Sequence, residues 1–260
     1  MLLVLTACSD DDHSANGGAQ AVTFVVNEEP WQDEGVMMTR STYSDLQGTG
    51  FNLYSSELSL DGVSTTWDTT NKRWRYEGQR LWPQGVTTAS FYALTNAGSA
   101  SLDVSTEIIT ISAFYASPPD LLYASHKNVA RGNNVELTFH HIFAKVTMGT
   151  VTIDPNSLIT SVSNVTFGAT LDNQGTFSLK DDATYATFTS QSGDVAVSGQ
   201  TFYPTGTSLL VIPDENVTIT LTLTCDPART LTVSKTLTLD SGKNYILNVH
   251  IGPNHEVVIE

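Results

Sequence analysis

The sequence has 260 residues, 40% of them hydrophobic and only 15% charged, with a formal net charge of −15. That length holds one large domain or two modest ones, and the acidic balance excludes nucleic acid and anionic lipid headgroups as natural partners, because like charge repels both. The polar remainder is rich in Thr, Ser, Asn and Gly, which suits short strands with one wetted face and excludes a helical protein, since no Ala/Glu/Lys/Leu stretch keeps a 3.6-residue apolar period.

The chain opens Met-Leu-Leu-Val-Leu-Thr-Ala before Cys8. An apolar run that ends in small residues directly before a cysteine has the form of a lipoprotein processing site, with cleavage before Cys8 and acylation (palmitate) of its thiol. Seven residues are few for such a leader and none of them is basic, which leaves open whether Met1 is the true start. Ser9-Asp10-Asp11-Asp12 follows at once and resembles an acidic export signal to the outer face of the outer membrane. Residues 1–20 are therefore expected to be signal and flexible tether. No apolar run approaches the ~18 residues of a membrane-spanning helix.

Strand patterning begins at Ala21. Val22, Phe24 and Val26 alternate with Thr23 and Val25, which predicts a first short strand over Ala21–Val26, and Asn27 to Gly35, with Pro30, reads as a loop. Further strands are expected at Phe51–Tyr54, Trp74–Tyr76, Leu81–Pro83, Ser90–Leu94 and Leu121–Ala124. Val135, Leu137 and Phe139 share one face. After His140 and His141 the phase flips to Ile142, Ala144, Val146 and Met148, and Val151 and Ile153 flip it back. A one-residue slip inverts every side chain, so a bulge or a sheet crossing is predicted at the two histidines. A domain boundary is placed near Gly149, dividing the body into residues 21–149 and 150–260.

The C-terminal part alternates most strictly. Val217, Ile219, Leu221, Leu223 and Cys225 interleave with Thr218, Thr220, Thr222 and Thr224, the pattern of a half-buried strand with a threonine outer face. A turn at Asp226–Arg229 leads to a return strand carrying Leu231, Val233, Leu237 and Leu239, and a second turn at Asp240–Asn244 leads to Tyr245, Leu247, Val249 and Ile251. Turns at roughly ten-residue spacing predict an all-β sandwich. Cys225 has no disulfide partner if Cys8 carries lipid, and it reads as a small core residue. No Cys/His cluster has metal-ligand spacing, and no cofactor is expected. No nucleophile elbow, HExxH helix or phosphate-binding loop occurs, so no catalytic residue is assigned. His140 and His141, adjacent on a strand, point to opposite sides and read as hydrogen-bonded structural residues. Asp181-Asp182 and Glu28-Glu29 read as solvated charge.

Three runs carry a resemblance to a known family: Asp120-Leu121-Leu122-Tyr123-Ala124, then Val135-x-Leu-x-Phe139-x-His141-x-x-Ala144-Lys145-Val146, then Gly242-Lys243-Asn244-Tyr245 before an alternating strand. With the Cys8 site, Arg40-Ser41-Thr42, and Trp82-Pro83 followed by Ser90-Phe91-Tyr92-Ala93, they span nearly the whole chain, which resembles the fimbrillin-like pilus subunits of the Bacteroidales. The resemblance implies an all-β fold of two tandem transthyretin-like β-sandwich domains with Greek-key-type strands. It implies a non-enzymatic fimbrial or adhesion subunit at the cell surface, anchored in the outer membrane through lipid on Cys8. It also implies cleavage after Arg40, loss of the first strand with Val22, Phe24 and Val26, and assembly with other fimbrial subunits by β-strand addition, with a host or cell-surface receptor or glycan as a further partner. Val257-Val258-Ile259, near the end of this sequence, is short for a donor strand and reads equally as an edge strand of the second domain.

The alternative reading is a surface glycan-binding lipoprotein. Aromatic faces stack on sugar rings, and Trp67 and Trp74 flank a polar hairpin over Asp68–Arg73, making them the candidate contacts; core packing is the competing role for each.

Overall fold

The computed structural model describes residues 6–7, 22–33, 44–76, 78, 81–95, 100–111, 120–172, 174–179, 187–190 and 195–260. In the first part of the chain these form β1 (Thr6–Ala7), β2 (Phe24–Glu28), β3 (Gln32–Asp33), the short helix α1 (Ser44–Thr49), β4 (Phe51–Ser55), β5 (Leu60–Asp68), β6 (Arg73–Tyr76), β7 (Thr88–Leu94), β8 (Ala100–Asp103) and β9 (Ile108–Ile111). The middle supplies β10 (Leu122–Ala130), β11 (Val135–His141), β12 (Ala144–Ile153), β13 (Ser161–Leu171), β14 (Gly175–Ser178) and β15 (Thr187–Ser190). The last part supplies β16 (Val195–Thr201), β17 (Ser208–Val211), β18 (Asp214–Asp226), β19 (Arg229–Leu239), β20 (Lys243–Ile251) and β21 (Val257–Ile259). The protein is all-β, as the Thr-rich alternating sequence requires.

Four sheets share these strands. The largest runs β1-β2-β11-β10-β7-β4-β5-β6; a second runs β17-β12-β20-β21, with β3 also on β20; the others run β16-β13-β18-β19 and β15-β14-β9-β8. Most pairs are antiparallel. Three are parallel: β2 with β11, β12 with β20, and β3 with β20.

Side-chain alternation explains how the sheets stack. On β7, Ala89, Phe91 and Ala93 enter one core while Tyr92 and Leu94 enter another; on β10, Leu122 and Ala124 divide from Tyr123 in the same way. The large sheet is thus buried on both faces at its centre, which is why Ser90–Leu94 reads as an apolar run without a polar face. Its inner face packs on Leu46 of α1 and on Trp82. Its other face packs on Ile109, Ile111 and Phe177 of the β8/β9/β14 sheet. The third core lies between β12/β20 and β13/β18, with Val146, Met148, Phe167, Leu221 and Leu247 fully buried or nearly so. Here the predicted strand over Val217–Cys225 forms as β18, and its threonine face meets β19 through hydroxyl pairs such as Thr220 to Ser234 at 2.8 Å. Cys225 is free and buried.

The phase flip at the histidines is a sheet crossing. β11 ends at His141 in the large sheet, Ile142 and Phe143 bridge, and β12 begins at Ala144 in another sheet. The second flip is a register shift between Met148 and Val151 in the β12–β20 pair. Gly149, at the division drawn between 21–149 and 150–260, lies within this bulge, where a Cβ would collide with the Asn248 side chain; β12 runs on through it to Ile153. Several pairs cross that division: β14 with β9, β3 with β20, and the first half of β12, Ala144–Met148, with β17 and β20.

Three local expectations are corrected. Asn27 and Glu28 extend the first strand instead of opening a loop, because they stay in register with Thr138 and Phe139. Gln32 and Asp33 form β3, held on the edge of β20. Leu81–Pro83 carries only an isolated bridge at Leu81, consistent with a proline that has no N–H to offer a ladder.

Candidate functional site

The first strand and the segment behind it lie along two sheets as one continuous strap. The β-branched and aromatic run from Val22 to Val26 favours extended backbone, and β2 pairs in parallel with β11 from Phe24↔Val135 to Glu28↔Phe139. Main-chain bonds fix both ends: Val135 N–H donates to Thr23 O at 2.8 Å, and Glu29 N–H donates to Phe139 O at 2.8 Å. The Thr23 hydroxyl donates to Asn134 Oδ1 at 2.5 Å. Val22, Phe24 and Val26 are 2%, 1% and 0% exposed, so the three residues predicted to face inward fill the inner core. Phe24 meets Tyr76 and Phe91 edge-on, with ring centroids 5.7 and 5.9 Å apart.

Beyond Val26 the strap is held by polar and aromatic contacts. His140 Nδ1 lies 2.8 Å from Glu29 Oε2. His141 Nδ1 lies 2.7 Å from Asp120 Oδ2, and its Nε2 lies 3.1 Å from the Glu29 carbonyl oxygen. Both ring nitrogens of His141 thus face acceptors; a neutral ring donates to one of them and a protonated ring to both. Trp31 stacks on His141, with ring centroids 3.9 Å apart and planes 22° from parallel. Lys145 Nζ stands 5.6 Å from the Trp31 ring centre, a cation–π contact. Gln32 N–H donates to Gly242 O at 3.0 Å. Asn244 Nδ2 donates to Asp33 Oδ1 at 2.7 Å, and Asn244 Oδ1 accepts from Thr147 Oγ1 at 2.6 Å.

Asp120, His141, Lys145 and Asn244 come from the three separate runs singled out in the sequence. The fold brings all three runs to one place, where each touches residues 29–33 directly or through His141. Sequence reasoning placed the apolar residues of the strap, read Glu29 as solvated charge where the structure pairs it with His140, and missed the roles of Trp31 and Asp33. The available signal was the pair of histidines at the phase flip: a sheet crossing leaves room beside it for a third segment.

The remaining predicted site residues divide. Cys8, Ser9, Asp10, Asp11, Asp12 and Arg40 lie outside the described residues, as do Asp181 and Asp182. Trp67 and Trp74 do flank a hairpin, closed by Asp68 accepting from Thr70 and Asn71 N–H at 3.0 Å each. Trp74, however, is 3% exposed and in the inner core, because its strand alternation turns it inward between Phe51 and Trp67, whose ring centres lie 5.0 and 5.4 Å from it. It offers no face to a sugar. Trp67 is half-buried against the same core, and Trp31 and Trp82 are buried. Among the described residues no group of three or more His, Cys, Asp or Glu is arranged to hold a metal ion, and no helix is long and apolar enough to cross a membrane.

A family model described as fimbrillin-like matches residues 26–260. No curated protein matches the chain. Among solved structures the chain is similar to a candidate cell adhesion protein from Bacteroides ovatus ATCC 8483, with a TM-score of 0.63 and 14% identity over 94% of this chain and 96% of that one. A candidate cell adhesion protein from Bacteroides uniformis ATCC 8492 gives 0.57 and 16%, covering 82% of this chain and 90% of that one. A candidate adhesin from Bacteroides thetaiotaomicron VPI-5482 gives 0.50 and 9%, covering 95% and 97%. At these identities the likeness is one of fold.

Proposed function

The chain belongs to the fimbrillin-like family, and from that premise we propose that it is a non-enzymatic fimbrial or adhesion subunit of the cell surface. In this reading it is exported as a lipoprotein on Cys8, steered outward by Ser9–Asp12, and anchored in the outer membrane by its lipid. A protease cuts after Arg40, the first strand leaves with everything before it, and another fimbrial subunit supplies the replacement strand. The observation that carries the reading is the strap itself. Residues 22–33 are bonded to β11 and β20, strands more than a hundred residues distant, and the segment holding Arg40 comes next in the chain. Removing the strap would bare three apolar sites, each worth ~1.5–3 kcal/mol when refilled, together with the unpaired backbone edge of β11. That is the setting in which a strand is added from outside. The glycan-binding alternative rests on the half-buried Trp67 alone, since Trp74 is turned inward.

The test is to express residues from Ser9 onward, digest briefly with a trypsin-like protease, and follow products by mass spectrometry and size-exclusion chromatography. Cleavage after Arg40, loss of the strap and growth into SDS-resistant polymers are expected of a self-assembling subunit. A clean cut without polymers assigns a tip or accessory role that needs a different partner. An intact Arg40 bond, or a cut chain that keeps its strap as a stable monomer, rules out processing.

A further inference from the structure

We infer that the bed beneath the strap selects its occupant by a polar and aromatic code as well as by apolar fit. The inference rests on the strand-replacement reading above and names the chemistry of the partner segment. The strap is the template. Its apolar part, Val22, Phe24 and Val26, would be matched by almost any alternating strand. Its second part is far more demanding. Counting from Val26, a carboxylate follows at +3 (Glu29), a flat aromatic at +5 (Trp31) and a carboxylate at +7 (Asp33).

Each requirement has a fixed receptor outside the strap. The carboxylate at +3 meets His140 Nδ1 at 2.8 Å. The aromatic at +5 lies between the His141 ring at 3.9 Å and Lys145 Nζ at 5.6 Å. The carboxylate at +7 accepts from Asn244 Nδ2 at 2.7 Å. Two of these receptors are held by contacts that do not involve the strap. Asp120 holds His141 through Nδ1, and Thr147 holds the amide of Asn244. His140 and Asn244 meet the carboxylates of Glu29 and Asp33, and the Lys145 ammonium stands over the aromatic between them, so the complementarity is electrostatic as well as steric.

The occupant that fits is an acidic, extended segment of another subunit in which three alternating apolar residues precede a carboxylate–aromatic–carboxylate series. It runs parallel to β11 and continues onto the edge of β20. The chain's own short apolar run, Val257 to Ile259, meets neither condition: it is paired antiparallel to β20 as β21, and no aromatic follows within its strand.

The test opens the bed without using Arg40. A site-specific protease sequence is inserted between residues 34 and 43 of the otherwise complete chain, the chain is nicked, and a fluorescein-labelled peptide of residues 21–33 is added. Exchange into the nicked protein is read by fluorescence polarisation. Peptides carrying Trp31→Ala, or Glu29→Gln with Asp33→Asn, are expected to bind roughly tenfold more weakly than the parent, the scale of a lost charge-assisted or stacked contact. A peptide carrying Glu29→Gln alone should bind the parent protein more weakly than the parent peptide does, and against a His140→Ala protein that penalty should vanish, a coupling that a general loss of fit would not produce. The peptide variants need no refolding of the protein, so they decide the matter even if His140→Ala does not fold. Equal binding of all peptides that keep Val22, Phe24 and Val26 overturns the code, as does a folded, nicked chain that accepts no peptide. Resistance of Arg40 to proteases would defeat the processing route and leave this result untouched.

Discussion

Replacing Phe24 by alanine puts the strap's hold on the large sheet to a direct measurement. Phe24 is 1% exposed, and its ring stands edge-on to Tyr76 and Phe91. A phenylalanine withdraws about 150–250 Å² from water, which at about 25 cal/mol per Å² is roughly 4–6 kcal/mol and an upper bound, since an unfolded chain already hides part of that area. Truncations of buried phenylalanine to alanine cost about 3–5 kcal/mol, so a loss of about 4 kcal/mol is expected. The main-chain bonds from Thr23 to Val135 and from Glu29 to Phe139 are untouched, so the fold persists with a weakened strap. Urea unfolding followed by tryptophan fluorescence should show a midpoint lower by roughly 1.3–2 M, taking an m value of about 2–3 kcal/mol/M. Thr23→Ala is the control: its hydroxyl bond to Asn134 is exposed, and its loss should cost only about 0.5–1.5 kcal/mol. A Phe24→Ala midpoint within about 0.5 M of the parent, or no larger a shift than Thr23→Ala gives, would refute the claim that the strap is an integral part of the core.

Other predictions follow from single positions. Gly50 has a φ of +68°, and a Cβ there would run into the carbonyl oxygen of Thr65, whereas Gly62, at +65°, would meet only the Tyr54 ring at an ordinary 3.5 Å; thermal denaturation should rank Gly50→Ala as the more damaging, by about 1–3 kcal/mol, and the reverse order would contradict the packing of α1 and β4 on β5. Burial pushes the Cys225 thiol up, so a thiol reagent should react slowly with the native protein and at once in urea, and fast native labelling would mean that β18 does not bury it. Burial, and second the hydrogen bond its hydroxyl donates to Glu107 at 2.7 Å, raise Tyr92, and burial raises Tyr54 and Tyr245. A tyrosine raised on folding leaves stability unchanged below its unfolded value of about 10 and removes it as the pH climbs from there toward the folded value. Absorbance titration should show these three ionising above the ordinary tyrosine range near about 10, and a simple titration of all nine tyrosines near pH 10 before unfolding would refute it.

Period-two alternation was legible wherever one sheet face is wet. Val217 to Cys225 against four threonines, and Tyr245 to Ile251 after the Asp240 turn, could be read directly, as could the inward set Val22, Phe24 and Val26. The flip at His140 and His141 marked a bulge or a sheet crossing, because an odd residue in a strand must change faces, and the fold made it a crossing. Where both faces are buried, as in β7, alternation disappears from the sequence. Where a strand is two residues long, as in β3, there is nothing to alternate.

What the residues determined by themselves is therefore the fold class, most of the regular strands, and the apolar half of the strap. The tertiary structure alone decided which strands are neighbours. Glu29 and His140 are 111 residues apart in sequence, and Asp33 and Asn244 are 211 apart. It also turned Trp74 into the core and carried β14 across to β9. The physical reason is that local backbone chemistry sets which face of a strand is apolar, whereas the identity of the surface covering that face is set by the packing of whole sheets, and no spacing along the chain encodes it.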